Sequence, residues 1–118
     1  MQLSTQIMSG HLIVRVSGEL DVSTSPQLRD CLNELLDGGV RTLVLDLTKV
    51  DFLDSTTLGM LVGIFKRLRQ ADGGLALVCP HERLLKIFRM TGLDRVFTVR
   101  TSVADAMAAL GEAAPDRV

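Results

Sequence analysis

Tryptophan and tyrosine are absent from these 118 residues, and phenylalanine occurs only four times. A surface that holds single-stranded nucleic acid by stacking bases has almost nothing here to stack on. An excess of one charge is missing as well: 13 Lys and Arg stand against 14 Asp and Glu, for a formal net charge of −1. Nucleic-acid binders show a basic face or stripe, and the same balance offers no pull toward an anionic membrane. The two cysteines, Cys31 and Cys79, are far apart and not in C-x-x-C spacing. Neither a disulfide framework nor a zinc site is indicated. Each cysteine lies in an apolar run, as small buried thiols of a reducing compartment do. The longest apolar run, Leu58 to Phe65, falls far short of the ~20 residues a spanning helix needs. Met1-Gln2-Leu3-Ser4-Thr5 has neither the basic nor the apolar region of a secretory signal. These absences predict a soluble cytoplasmic protein that engages neither nucleic acid nor membrane.

Catalytic signals are equally sparse. His11 and His81 are the only histidines, and neither sits in metal-ligand spacing or beside a candidate nucleophile. Surface or capping roles suit them better than acid–base work. No G-x-x-x-x-G-K-[ST], G-x-G-x-x-G or G-x-S-x-G occurs, so phosphate-cradle and nucleophile-elbow chemistry has no anchor. The expectation is a protein that is not an enzyme and carries no metal or cofactor.

What is present is an ordinary globular balance, 47% hydrophobic and 23% charged, at the length of one domain. Leu3, Thr5 and Ile7 alternate, Ser9-Gly10 punctuates, and Leu12, Val14 and Val16 alternate again. Period two on both sides of such a turn predicts a β-hairpin. Ser23-Thr24-Ser25-Pro26-Gln27 then signals a helix start, either as a Thr24/Gln27 capping box or as Ser25 capping ahead of Pro26. Leu28, Cys31, Leu32 and Leu35 follow helical spacing up to a stop at Asp37-Gly38-Gly39. Leu43 to Leu47 reads as a strand covered on both faces, and Thr48 to Leu53 as a loop leading to Asp54-Ser55-Thr56. A second helix carries Leu58, Leu61, Val62, Phe65 and Leu68 on one stripe. Its basic last turn, Lys66, Arg67 and Arg69, complements the helix dipole as a solvated end.

Leu75 to Cys79 is a further strand, Glu82 to Met90 a helix, Val96 to Val99 a last strand, and Ser102 caps a final helix. The order is ββαβαβαβα: an α/β fold with a mixed sheet, parallel in its later part, and about four helices. One domain spans 1–110, with 111–118 as a frayed tail.

Hydroxyl and carboxylate groups concentrate at Asp54-Ser55-Thr56-Thr57. One of them suffices as an N-cap, a role that contributes roughly 0.5–2 kcal/mol; four exceed it. A loop leaving the C-terminal end of a parallel strand is also where α/β proteins place ligands. Asp21 leaves its strand in the same manner, and spacing alone does not decide whether the two loops adjoin.

Taken together, Gly18-Glu19-Leu20-Asp21, Val44-Leu45-Asp46-Leu47, Val50 through Gly59, and Leu84, Ile87-Phe88, Thr91-Gly92-Leu93 resemble the STAS-domain family, in particular bacterial anti-sigma-factor antagonists. The segment Phe52-Leu53-Asp54-Ser55-Thr56-Thr57-Leu58-Gly59 is similar to the family's F-[ML]-D-S-S-G-L-G helix entry. The resemblance implies a domain that binds an anti-sigma factor serine/threonine kinase and so releases a sigma factor. Phosphorylation of the second hydroxyl residue breaks the complex, and a phosphatase restores it. It implies Thr56 as phosphoacceptor, with Ser55 and Thr57 as rivals, and Asp21, Asp54, Ser55, Thr56, Thr57 and Leu58 as the partner-binding residues. Two departures stand out: Thr56 replaces the commoner serine, and Thr57 replaces glycine. The second is expected to project a side chain where a partner backbone approaches. Alternative readings are a non-phosphorylated STAS subunit of a stress-signalling scaffold or lipid-transport complex, and nucleotide binding at the same edge.

Overall fold

The two alternating segments form antiparallel strands, β1 (Gln2–Met8) and β2 (His11–Leu20). Ser9 at φ 51° and Gly10 at φ 81° join them, the pair of positive φ angles whose twist matches that of the strands. Strand and helix then alternate through α1 (Ser25–Asp37), β3 (Thr42–Leu53), α2 (Ser55–Gln70), β4 (Gly74–Val78), α3 (Glu82–Met90), β5 (Thr98–Arg100) and α4 (Val103–Ala113). A short 3-10 turn, Leu93–Arg95, precedes β5. The computed structural model describes residues 1–113. The sheet order is β1-β2-β3-β4-β5, with β1 antiparallel and every later pair parallel. This is the mixed α/β sheet with four helices that the pattern predicts.

Both faces of the central strands are covered, which is why Leu43–Leu47 and Leu75–Cys79 read as continuous apolar runs. Val14, Val16, Leu43, Leu45, Leu75 and Leu77 face Leu28 and Leu32 of α1, Leu61, Ile64 and Leu68 of α2, and Leu84 and Phe88 of α3. Ile13, Val44, Ala76 and Val78 face Ala106 and Leu110 of α4. Each fully buried leucine contributes roughly 1.5–3 kcal/mol of transfer free energy.

Four expectations need correction. The stretch Thr48–Leu53 is not a loop but the second half of β3, paired with β2 as far as Leu20↔Leu53. Its register shifts twice, between Arg15 and Ser17 and between Gly18 and Glu19. These shifts break the period-two signal. Gly18 sits at φ 103°, where a side chain is strained, and a Cβ there would come within 3.2 Å of the Met1 Cα. The basic end of α2 is more than a solvated terminus: Arg67 donates to Asp37 at 3.0 Å and Asn33 at 2.8 Å on α1, and Arg69 lies over the Phe65 ring. Cys79 is buried as expected, whereas Cys31 is only half-buried. Finally, α4 continues through Gly111–Ala113, so the tail does not begin at Gly111; residues 114–118 lie outside the described residues.

Candidate functional site

Strands β2 and β3 run parallel and end level, Leu20 opposite Leu53, so Asp21 and Asp54 leave the same edge of the sheet side by side. The question that spacing left open is answered by backbone contact: the Asp54 N–H donates to the Leu20 carbonyl at 3.2 Å. Helices α1 and α2 both begin at this edge.

Asp54 is the cap of α2. Its backbone is extended and its Oδ1 accepts the Thr57 N–H at 3.0 Å. The N–H groups of Ser55 and Thr56, also in the first turn, have no intrahelical acceptor and lie at the positive end of the helix dipole. Both side chains are exposed.

Thr57 does not project toward a partner. It is 0% exposed, and its hydroxyl reaches the Leu20 carbonyl at 3.0 Å and the Ser25 hydroxyl at the start of α1. Asp54 Oδ1 lies 3.2 Å from the same oxygen. Leu58 is likewise buried in the core beside it. The expectation that the Thr57 side chain projects from the helix start is therefore corrected, and Leu58 turns inward with it. The cause is helical periodicity: positions 57, 58, 61, 64 and 68 form the face that meets the sheet, and 55 and 56 lie off it. A glycine in place of Thr57 would lose the link to Leu20 and Ser25.

Asp21 organises its own loop. Its Oδ1 accepts the Ser23 hydroxyl at 2.7 Å, the Ser23 N–H at 2.9 Å and the Thr24 N–H at 3.1 Å. Hydrogen bonds from Ser23, the hydroxyl first, hold the carboxyl below its ordinary pKa against a smaller opposing effect of burial. Thr24 occupies the cap position of α1 without capping it: its hydroxyl turns back to the Glu19 carbonyl at 2.7 Å and accepts the Asp21 N–H at 2.9 Å. Of the two helix-start readings, the Thr24/Gln27 capping box does not form. Ser25 opens the helix with Pro26 in its first turn, but its hydroxyl goes to Thr57.

Two apolar side chains at this edge escaped sequence reasoning. Val22 is 68% exposed in the Asp21 loop, and Phe52 is 48% exposed just before Asp54. Val50 and Leu53, three apart and both buried, leave Phe52 out of phase with the core. That spacing, which a regular strand with one buried face does not give, is the signal that could have marked it.

On its other side, β3 outruns β4, whose pairing stops at Asp46↔Val78. The His81 ring meets the Thr48 carbonyl there, and Arg83 donates to the Asp51 carbonyl at 2.8 Å. The beginning of α3 thus supports the end of the strand that carries Asp54. Among the described residues, no group of three or more His, Cys, Asp or Glu could hold a metal ion. No helix of the described residues is long and apolar enough to cross a membrane.

Geometry of this kind has relatives. The family model for the STAS domain matches residues 2–106. An anti-sigma-B factor antagonist of Listeria monocytogenes is 36% identical over 105 residues, covering 85% of this chain and 90% of its own. The protein of the same description from Staphylococcus aureus is 40% identical over 86 residues, covering 73% and 80%. Among solved structures, an anti-sigma factor antagonist from Mycobacterium paratuberculosis shares the fold at a TM-score of 0.79 and 30% identity, over 92% of each chain.

Proposed function

The chain belongs to the STAS domain family, and we propose that it is an anti-sigma-factor antagonist whose binding edge is the Asp21 and Asp54 loops. In this reading it docks in the cytoplasm on an anti-sigma factor that is a serine/threonine kinase, and so frees a sigma factor. Phosphorylation of Thr56 ends the complex, and a phosphatase restores the binding form. The protein acts by being bound, not by catalysis.

The observation that carries the reading is the sorting of three consecutive hydroxyls. Ser55 and Thr56 are open to solvent, while Thr57 is sealed into the fold. A kinase reaches the first two without unfolding the helix. Exposed Val22 and Phe52 supply apolar contact area beside them, the kind of element that gives an interface its affinity.

The energetics favour a switch. A phosphate adds about −1.5 to −2 charge. The N–H groups at the start of α2 favour it by about 0.3–1 kcal/mol. A partner carboxylate about 6 Å away repels it by roughly 3 kcal/mol per unit charge at an effective dielectric of ~20. Repulsion between the molecules outweighs the favourable dipole, so binding is lost while the fold is kept.

The test is phosphotransfer. Purified protein incubated with its cognate kinase and ATP should gain one phosphate, absent in Thr56→Ala. Labelling that persists in that variant and disappears in Ser55→Ala would move the acceptor to Ser55. Absence of labelling by any such kinase would remove the switch and leave only the binding role.

A further inference from the structure

The two edges of the sheet, β1 and β5, are built differently. β5 is three residues long and ends in Arg100, a short charged edge of the kind that discourages pairing with another chain. β1 has seven residues, Gln2-Leu3-Ser4-Thr5-Gln6-Ile7-Met8, none of them charged and none proline. Its register against β2 runs without a bulge. None of the usual devices for blunting an edge strand is found within it.

The hairpin turn fixes which backbone groups of β1 face outward. In a two-residue hairpin the closing pair, here Met8 and His11, exchanges both hydrogen bonds. Gln2, Ser4, Gln6 and Met8 therefore spend their backbone groups on β2. Leu3, Thr5 and Ile7 turn an N–H and a C=O each toward open solvent. On the face shared with α1 and α2, Ile7 is 76% exposed, the largest exposure among the big apolar side chains of the described residues.

The outward row is complementary to itself. Thr5 is the midpoint of the strand. A two-fold axis through Thr5 sets Leu3 opposite Ile7, Ser4 opposite Gln6 and Gln2 opposite Met8. Every pair is neutral, outward groups meet outward groups, and Ile7 is covered by Leu3 of the second copy. We propose that β1 pairs antiparallel with β1 of a second copy of this chain, centred on Thr5, joining two sheets into one. The pairing uses no residue of the Asp21 and Asp54 loops, and it stands or falls independently of the role proposed for them.

A residue on a two-fold axis faces its own copy, which gives a charge-swap test. The wild-type chain in light scattering after size exclusion should move toward twice the monomer mass as concentration rises. Thr5→Lys and Thr5→Glu, checked for native circular dichroism, should each stay monomeric because like charges meet at the axis. Mixing the two should restore a dimer holding one of each. A wild-type chain that is monomeric at every concentration overturns the proposal. So does a dimer that survives both substitutions, which places the contact elsewhere, and so does a mixture that stays monomeric, which denies the axis at Thr5.

Discussion

The hydroxyl of Ser25 meets the hydroxyl of Thr57 across 32 residues of sequence, and the contact ties the first turn of α1 to the first turn of α2. Thr57 also has the Leu20 carbonyl at 3.0 Å, which can only accept. With Thr57 donating to Leu20 and Ser25 donating to Thr57, both hydroxyls are paired. A buried chain of this kind sets the spacing of the two loops that frame Ser55 and Thr56.

Thr57→Val, which keeps the shape and removes the hydroxyl, should destabilise the fold by about 1–3 kcal/mol, since it leaves the buried Ser25 hydroxyl unpaired and the Leu20 carbonyl with only the Asp54 N–H. Urea unfolding should show a lower midpoint at unchanged slope. Ser25→Ala should cost less, because the Thr57–Leu20 bond survives. The double variant should fall short of the sum of the two; full additivity would mean that the hydroxyls act independently.

Asp21 links stability to pH. Its carboxyl, held below the ordinary value of 3.8 by the bonds from Ser23, carries fewer protons in the folded chain than in the unfolded one. It therefore stabilises the fold above 3.8, and that contribution is lost as the pH falls through the folded-state value. Asp21→Asn should melt below the parent at neutral pH, with the gap narrowing under acid conditions. A gap of constant size across the acid range would assign the effect to something other than ionisation.

Replacing Thr56 by Glu should weaken binding to the anti-sigma partner, and replacing it by Ala should leave binding nearly unchanged. One added charge near a partner carboxylate costs roughly 3 kcal/mol, on the order of 100-fold in affinity. Titration calorimetry of both variants reads this directly. Equal affinities would show that the start of α2 is not at the centre of the interface.

Gly73 marks the closest backbone approach behind α2. A Cβ there would lie 1.8 Å from the Arg41 carbonyl oxygen, and the neighbouring Gly74 N–H already donates to that oxygen at 2.9 Å. Gly73→Ala should destabilise by about 1–3 kcal/mol or more through forced displacement of β3 against β4. Thermal unfolding monitored by circular dichroism should reveal it, and an unchanged melting temperature would show that the Arg41 segment moves freely.

Much of the candidate site was legible along the chain because its signals are local. Asp54 caps α2 through a bond to a residue three positions on, and Asp21 bonds residues two and three positions on. The α1 start was legible only in part: Pro26 marks it, but Thr24 spends its hydroxyl backward on Glu19. Thr48–Leu53 misled for a different reason. Polar residues and two register shifts hide a strand whose partner, Ser17–Leu20, lies some thirty residues earlier.

The sequence by itself determined the alternation of strands and helices, the helix starts and stops, and the crowding of hydroxyls after Asp54, since these follow from period, capping and turn chemistry over a few residues. Tertiary structure alone decided that Asp21 and Asp54 share an edge, that Arg67 of α2 reaches Asp37 of α1, and that the Thr57 hydroxyl is sealed between Leu20 and Ser25. Those outcomes depend on which strands pair, in what register, and on which side of a helix the sheet lies. Such contacts join residues far apart in the chain, and no local pattern encodes them.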